Sequence, residues 1–396
     1  MGSPPDPGTR PTLVVSPGDT IRLTLVNRLD EMTNLHYHGM FVSPRRHSDN
    51  IFRMVDPGET AHYVVDIPTD HDPGLYWYHP HMHGSVEPQI FGGMSGLIVV
   101  RGLNDRLPAG LQGVTRRVLA LKDYQVHGGA IPQVNIDSGA PTIRTVNGQI
   151  RPTLAIAPGE TQLWRVGNIG ADIWYDLKVP GHRLTVVAHD GAPVWDVYSA
   201  KHLVMPPGQR YEFLITGKGR GTTPVITRAF DQGPDGDQYP KRKLATLITK
   251  GPSQPTVAPP TSMAPDRSLR GEHVDRVRHF VFSEEPAQNQ FFINGKQFDP
   301  SVNDVLPRKR TIEKWVIRNV TGELHPFHIH VNNFQVVKVN GERVALHGPQ
   351  DVIMLPMGGK VTMLTEFKRF TGRYVFHCHI VAHEDNGMMA TVKVVG

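Results

Sequence analysis

The chain has 396 residues, a formal net charge of +5, 20% charged residues and a single cysteine. Its basic residues are scattered rather than gathered in a stripe, which argues against a nucleic-acid partner. No apolar run approaches the ~20 residues that span a membrane, and one cysteine cannot form an internal disulfide. The 39 glycines and 34 prolines, with few long amphipathic patterns, favour a β-rich chain with many turns.

Met1-Gly2-Ser3-Pro4-Pro5 lacks the basic and apolar regions of a signal peptide, so the reading is either no export or a signal already removed. The stretch Pro11-Thr12-Leu13-Val14-Val15-Ser16-Pro17-Gly18-Asp19-Thr20 runs into a strand-like segment that ends at Asn27. It recurs at an offset of 141 as Pro152-Thr153-Leu154-Ala155-Ile156-Ala157-Pro158-Gly159-Glu160-Thr161, ending at Asn168. A more diverged copy runs from Ile293-Asn294-Gly295 to Trp315-Val316-Ile317-Arg318-Asn319, echoing Val146-Asn147-Gly148 and Trp164-Arg165-Val166-Gly167-Asn168.

Such repetition predicts an all-β chain of three tandem domains, each a Greek-key sandwich or barrel. The expected spans are 1–103, 113–250 and 273–396, with the Pro/Ser/Thr-rich segment 251–272 as an extended linker. The first repeat has Asp6-Pro7-Gly8-Thr9-Arg10 where the second has Val-Asn-Gly, which predicts a shortened first strand and an exposed edge.

Histidines fall at matched places in this frame. Nine and eleven residues after Asn27 stand His36 and His38, and the same offsets from Asn319 reach His328 and His330; the middle repeat carries Leu177 and Val179 there. Gly74-Leu75-Tyr76-Trp77-Tyr78-His79-Pro80-His81 aligns with Gly372-Arg373-Tyr374-Val375-Phe376-His377-Cys378-His379, so Pro80 occupies the place of Cys378. In a strand, alternate side chains share a face, so each His-x-His pair presents two imidazoles to one side. Cys378 then points away from His377 and His379, and one strand can feed two metal sites. His383 and Met388 follow Cys378 at intervals of five, a spacing that lets a tight loop return both toward the sulfur. Two histidines, a cysteine and a weak axial methionine make a blue-copper electron-transfer site, with His325 as the candidate second imidazole. Tyr76, Trp77 and Tyr78, and Met354, Met357 and Met363, read as core packing.

These motifs resemble three-domain multicopper oxidases over nearly the whole chain: His-x-His-Gly at 36–39, His-x-His at 79–81, His-Pro-x-His-x-His at 325–330, and the His-Cys-His to Met run at 377–388. The ending is most similar to the bacterial laccase and copper-efflux branch. The resemblance implies cupredoxin-like domains and four coppers per chain: one type 1 on His325, Cys378, His383 and Met388; one type 2 on His36 and His328; and a type 3 pair on His38, His79, His81, His330, His377 and His379. It implies one-electron oxidation of phenols or aromatic amines, or of Cu(I), Fe(II) or Mn(II), coupled to reduction of O2 to water. It also implies Glu384 as proton donor, Asp49 as an acid near the cluster, and a monomer in the periplasm or secreted.

Glu323, two residues before His325, is a candidate contact for substrate. The methionine-rich insertion of copper-efflux relatives is missing, which weakens a dedicated Cu(I) role, and an axial Met388 implies a type 1 potential suited to easily oxidised aromatics. The remaining histidines, His83 included, fit ordinary surface or hydrogen-bonded roles.

Overall fold

The computed structural model describes residues 12–126, 128 and 142–396; Asp6–Arg10, on which the short first strand was inferred, and His127 lie outside them. The described chain is built of β-sheets packed in pairs. A four-stranded sheet packs on the two-stranded Thr20–Val26/Thr60–Asp66 sheet, a six-stranded on a five-stranded sheet, and a second six-stranded on a second four-stranded sheet.

Residue pattern explains the layers. In Thr60–Asp66 the apolar positions alternate, and Ala61, Tyr63 and Val65 are buried on one face. Thr161–Asn168 is instead buried at every residue, because it lies in the sheet interior, parallel to Arg116–Tyr124 and antiparallel to Arg210–Thr216. Ile312–Asn319 is its counterpart, parallel to Arg276–Glu285 and antiparallel to Lys360–Glu366.

The three asparagines that mark the repeats do the same work in each. Asn27 Nδ2 donates to the carbonyls of Glu31 and Val55, Asn168 Nδ2 to those of Ile173 and Met205, and Asn319 Nδ2 to those of Glu323 and Leu355. Each Oδ1 accepts an N–H two residues on, from Leu29, Gly170 and Thr321. The asparagine thus fixes how the chain leaves the strand, which is why side chains counted from it land at matched places. Trp164 Nε1 donates to Gln162 Oε1 and Trp315 Nε1 to Glu313 Oε2, both at 3.0 Å, so the match extends into the strand interior.

A separate apolar cluster joins the repeats: Leu75 and Trp77 from the first, Ala120 and Ile169 from the middle, and Val381 from the third. The segment read as an extended linker is docked rather than free. Val197 N–H donates to Thr261 O, Met263 N–H to Val194 O, and Met263 is buried in the middle core. Met357 also departs from expectation. It is 43% exposed because Pro356-Met357-Gly358-Gly359 is the turn between strands, whereas Met363, inside the next strand, is core.

Asn168 is fully buried and makes three hydrogen bonds to main chain, so Asn168→Ala leaves those groups unpaired. At ~1 kcal/mol each, the expected loss is about 3 kcal/mol, read as a lower unfolding midpoint in urea.

Candidate metal centres

Gly372–Cys378 pairs antiparallel with His325–Ile329, setting His377 opposite His328 and Cys378 opposite Phe327. The alternation of the strand sends Cys378 to one side and its two histidine neighbours to the other.

On the cysteine side, Sγ lies 3.5 Å from His325 Nδ1 and 3.7 Å from His383 Nδ1, and the two nitrogens are 3.3 Å apart. The centre of that triangle is roughly 2 Å from all three atoms, the length of a metal–nitrogen bond. His383 rides on a short helix, Val381–Asp385, where the spacing suggested only a loop. The helix start is capped from the middle repeat, where Asp172 Oδ1 accepts from Val381 and Ala382 N–H. Met388 is fully buried; its N–H donates to His383 O and its carbonyl accepts from Cys378 N–H, which closes the loop. Burial pushes the Cys378 thiol well above its usual range, so a metal must displace its proton.

On the other side, all eight remaining candidate imidazoles converge. His377 Nε2 is 3.3 Å from His81 Nε2 and 3.2 Å from His330 Nε2. His379 Nε2 is 3.2 Å from His38 Nδ1, with the His79 ring 5.9 Å from that of His38 and 5.6 Å from that of His379. The ring centroids of His36 and His328 lie 6.1 Å apart with the rings tilted at 53°. Only His36 and His38 both lie inside a strand. His81, His330 and His379 fall just past strand ends, where Pro80 breaks one ladder and Val331 takes φ 66°, an unusual conformation for a β-branched residue beside a site.

The hydrogen bonding fits metal at both places. Nδ1 is engaged on His36 by Asp49 Oδ1 (2.9 Å), on His79 by Pro80 O (2.7 Å), on His328 by Asp351 O (2.8 Å) and on His377 by Cys378 O (2.8 Å). That leaves Nε2 of His36, His79 and His328 buried with no protein partner, which a bound cation would satisfy. Burial is the main cause holding His36, His38, His81, His328, His330, His379 and His383 well below the usual imidazole range and bringing His79 and His325 to about 3. They are neutral donors, as metal ligation requires.

The expected acids are present. Asp49 Oδ1 also accepts from Tyr37 N–H, and burial pushes its carboxyl up to about 8. Glu384 is fully buried, with Oε1 3.2 Å from His81 Nδ1 and Oε2 2.9 Å from His377 Nδ1. Glu323 Oε1 lies 3.3 Å from His383 Nε2, and Glu284 Oε2 lies 3.6 Å from His325 Nε2. His83 stands outside the clusters, edge-on to Phe298. The sequence reading missed Glu284, Asp351 and Arg210. Asp351 Oδ1 is 3.2 Å from His38 Nε2, and Arg210, from the repeat without ligand histidines, holds Asp351. No spacing relates these residues to the histidine motifs.

Three sequence profiles described as multicopper oxidase match residues 7–105, 119–233 and 269–395. The chain is 27% identical to the multicopper oxidase mco of Staphylococcus aureus over 97% of its own length and 81% of that protein's. Its fold is similar to a metallo-oxidase from Campylobacter jejuni (TM-score 0.85, 24% identity, 97% of this chain and 84% of that one). It is also similar to a laccase-like multi-copper oxidase from Ochrobactrum sp. with oxidase activity towards lignin model compounds (TM-score 0.83, 27% identity, 97% and 90%).

A histidine held neutral in the fold but free to protonate when unfolded destabilises the fold as pH falls. Each such histidine's contribution to the stability of the metal-free protein is therefore expected to be intact above pH ~6.5 and to drop by up to ~1.4 kcal/mol per pH unit as pH falls toward 3, while buried carboxyls such as Asp49, raised to about 8, contribute in the opposite sense. Imidazole nuclear magnetic resonance signals of the metal-free protein, titrated across that window, measure it; cluster rings that protonate near pH ~6.5 would contradict buried neutral imidazoles.

Proposed function

The chain belongs to the multicopper oxidases, and on that footing we propose that Cys378, His325, His383 and Met388 hold the type 1 copper while His36 and His328 hold the type 2 copper. His38, His79 and His379 then serve one member of the type 3 pair, and His81, His330 and His377 the other. The observation that carries the reading is the two-faced strand: a sulfur in a donor triangle on one side, two imidazoles in a cluster of eight on the other. We take the domains to be 1–103, 113–250 and 273–396, which leaves the cluster between the first and third and lets one chain suffice.

Bound copper supplies one-electron exchange at the cysteine site and, at the histidine cluster, storage of the electrons that reduction of O2 to water consumes. The protein's own part is connection, orientation and proton supply. Cys378 is bonded through main chain to His377 and His379, so the two sites are joined covalently and no segment has to move. Asp49 orients His36, and the Pro80, Asp351 and Cys378 carbonyls orient His79, His328 and His377. Glu384, 3.2 Å from His81 Nδ1 and 2.9 Å from His377 Nδ1, would supply protons for the reduction of O2, a role those distances support.

The donor we propose is a small phenol or aromatic amine reaching His383, whose side chain is 12% exposed, in line with the activity of the Ochrobactrum relative. A second reading, oxidation of a reduced metal ion, is favoured by the carboxylates of Glu284 and Glu323 beside the two imidazoles. Burial raises both carboxyls, repulsion from Glu284 raises Glu323 further and a hydrogen bond with Glu323 holds Glu284 lower, so the pair shares a proton that an arriving cation can replace. Asp235 and Asp237, on the middle-repeat segment that pairs with Gly322 and Leu324, add negative charge there.

Cys378→Ser is expected to abolish the intense visible thiolate absorption and cut O2 consumption more than 100-fold, ~3 kcal/mol in barrier, while the histidine cluster still loads copper. Full O2 uptake by that variant would refute the assignment. For the donor, Glu323→Gln is expected to lower kcat/KM for Fe(II) or Cu(I) about tenfold (~1.4 kcal/mol) and leave a methoxyphenol unchanged if metal ions are substrates. Equal values on both donors before and after the change would leave the aromatic reading standing.

A further inference from the structure

The middle repeat carries none of the proposed ligands, yet it forms part of the cluster's wall. A Cβ on Gly208 would stand 3.0 Å from His379 Cδ2 and 3.1 Å from His38 Cε1, so the main chain there packs directly on two imidazoles. Two residues on, Arg210 is fully buried, and each of its three guanidinium nitrogens has an acceptor. Nη1 and Nη2 grip Asp351 Oδ1 and Oδ2 at 2.6 and 2.7 Å, Nη1 also donates to Gly208 O at 2.9 Å, and Nε donates to Leu75 O at 3.2 Å. Asp190 completes the shell. Its Oδ1 lies 3.6 Å from Nη1 and accepts Arg210 N–H, and its Oδ2 accepts the N–H of Val352, next to Asp351.

Asp351 is where this grip meets the ligands. Its Oδ1 faces His38 Nε2 at 3.2 Å, and its carbonyl holds His328 Nδ1. His38 differs from His36, His79, His328 and His377, whose Nδ1 is tied back to the protein: here Nε2 meets the carboxylate and Nδ1 faces His379. An imidazole that donates from Nε2 must present its lone pair at Nδ1. Gly39, at φ 79°, leaves the room, since a Cβ there would collide with Asp351 Oδ2 and Arg210 Nη2.

We propose that Arg210 is a positioning residue for the trinuclear site, its two-pronged grip aligning Asp351 so that His38 is held in the tautomer and orientation that offers Nδ1 to copper. Arginine suits the task because its planar fork fixes both carboxylate oxygens, which a lysine ammonium cannot do. The ligand-free repeat thus sets the geometry of a site built by its two neighbours. The inference rests on His38 being a ligand.

The test uses the copper-loaded full chain and four variants: Arg210→Met, Arg210→Lys, Gly39→Ala, and Val186→Ala as a control in the middle core, where Val186 is fully buried. Copper retention is titrated with a chelator, and spin state is followed by electron paramagnetic resonance. Arg210→Met and Arg210→Lys are expected to weaken retention of cluster copper roughly 10- to 100-fold, the usual effect of losing a partner behind a ligand. The spin-paired couple should become paramagnetic as one ion is lost, while the visible thiolate band stays. Gly39→Ala, which displaces the pair without removing charge, should do the same, and Val186→Ala should lower the melting temperature without altering either signal. Wild-type retention in Arg210→Lys and Gly39→Ala would overturn the proposal even if Arg210→Met failed to fold, and so would equal copper loss from Val186→Ala. A wild-type chain that never loads the histidine cluster would instead defeat the underlying ligand assignment.

Discussion

The structure depends on a strand having only two faces. Because successive side chains in Gly372–Cys378 and the residue after it alternate, a sulfur and two imidazoles one residue away on either side are committed to opposite pockets. A slip of one residue in the pairing with His325–Ile329 would exchange the two faces and empty both sites at once. The register is therefore guarded from several directions: Phe327 and Phe376 pack in the core on either side of the pairing, Met389–Val394 binds the opposite edge of the strand, and the Cys378 N–H is closed onto Met388 O.

That geometry creates an electrostatic problem which the rest of the site answers. Nine buried imidazoles, a tenth that is only slightly exposed and a buried thiol could not be tolerated as charges, and burial holds the affected imidazoles neutral with lone pairs available. Neutral nitrogen in an apolar interior still wants a partner. Main-chain carbonyls and two carboxylates take one nitrogen of several rings, and the other nitrogen of His36, His79 and His328 is left with no protein partner. Strain gathers at the same place, with Val331 in the left-handed region just beyond His330, where the strand has to stop for that imidazole to turn inward.

The sequence revealed what is periodic and concealed what is not. The three repeats and the histidine pairs were legible because each is written in a spacing: nine and eleven residues from an asparagine whose hydrogen bonds are repeated three times in space. Glu384 and Asp49 were legible because they are near ligands in the chain. The position of Met357 was misread because an apolar residue in an apolar stretch looks like core until the turn at Pro356 is seen. Glu284 and Arg210 were invisible for a different reason. Their partners lie 41 and 141 residues away, so no local pattern announces them.

The middle repeat shows why legibility and importance part company. With Leu177 and Val179 at the matched positions, its own sandwich is an apolar core, in which both are buried. Its contribution comes from loops and one strand start: Asp172 caps the helix that carries His383, Asp235 and Asp237 add charge near Glu323, and Gly208, with Arg210 at the start of Arg210–Thr216, reaches the cluster. A guanidinium buried this deeply is costly unless its nitrogens are matched, and here each nitrogen has an acceptor, drawn from all three repeats: Leu75, Gly208 and Asp351. Such a group cannot be satisfied until the repeats are docked, so completing its shell and completing the trinuclear site are one event. The charge is then more than a brace: its desolvation penalty falls on every arrangement except the one that assembles the site.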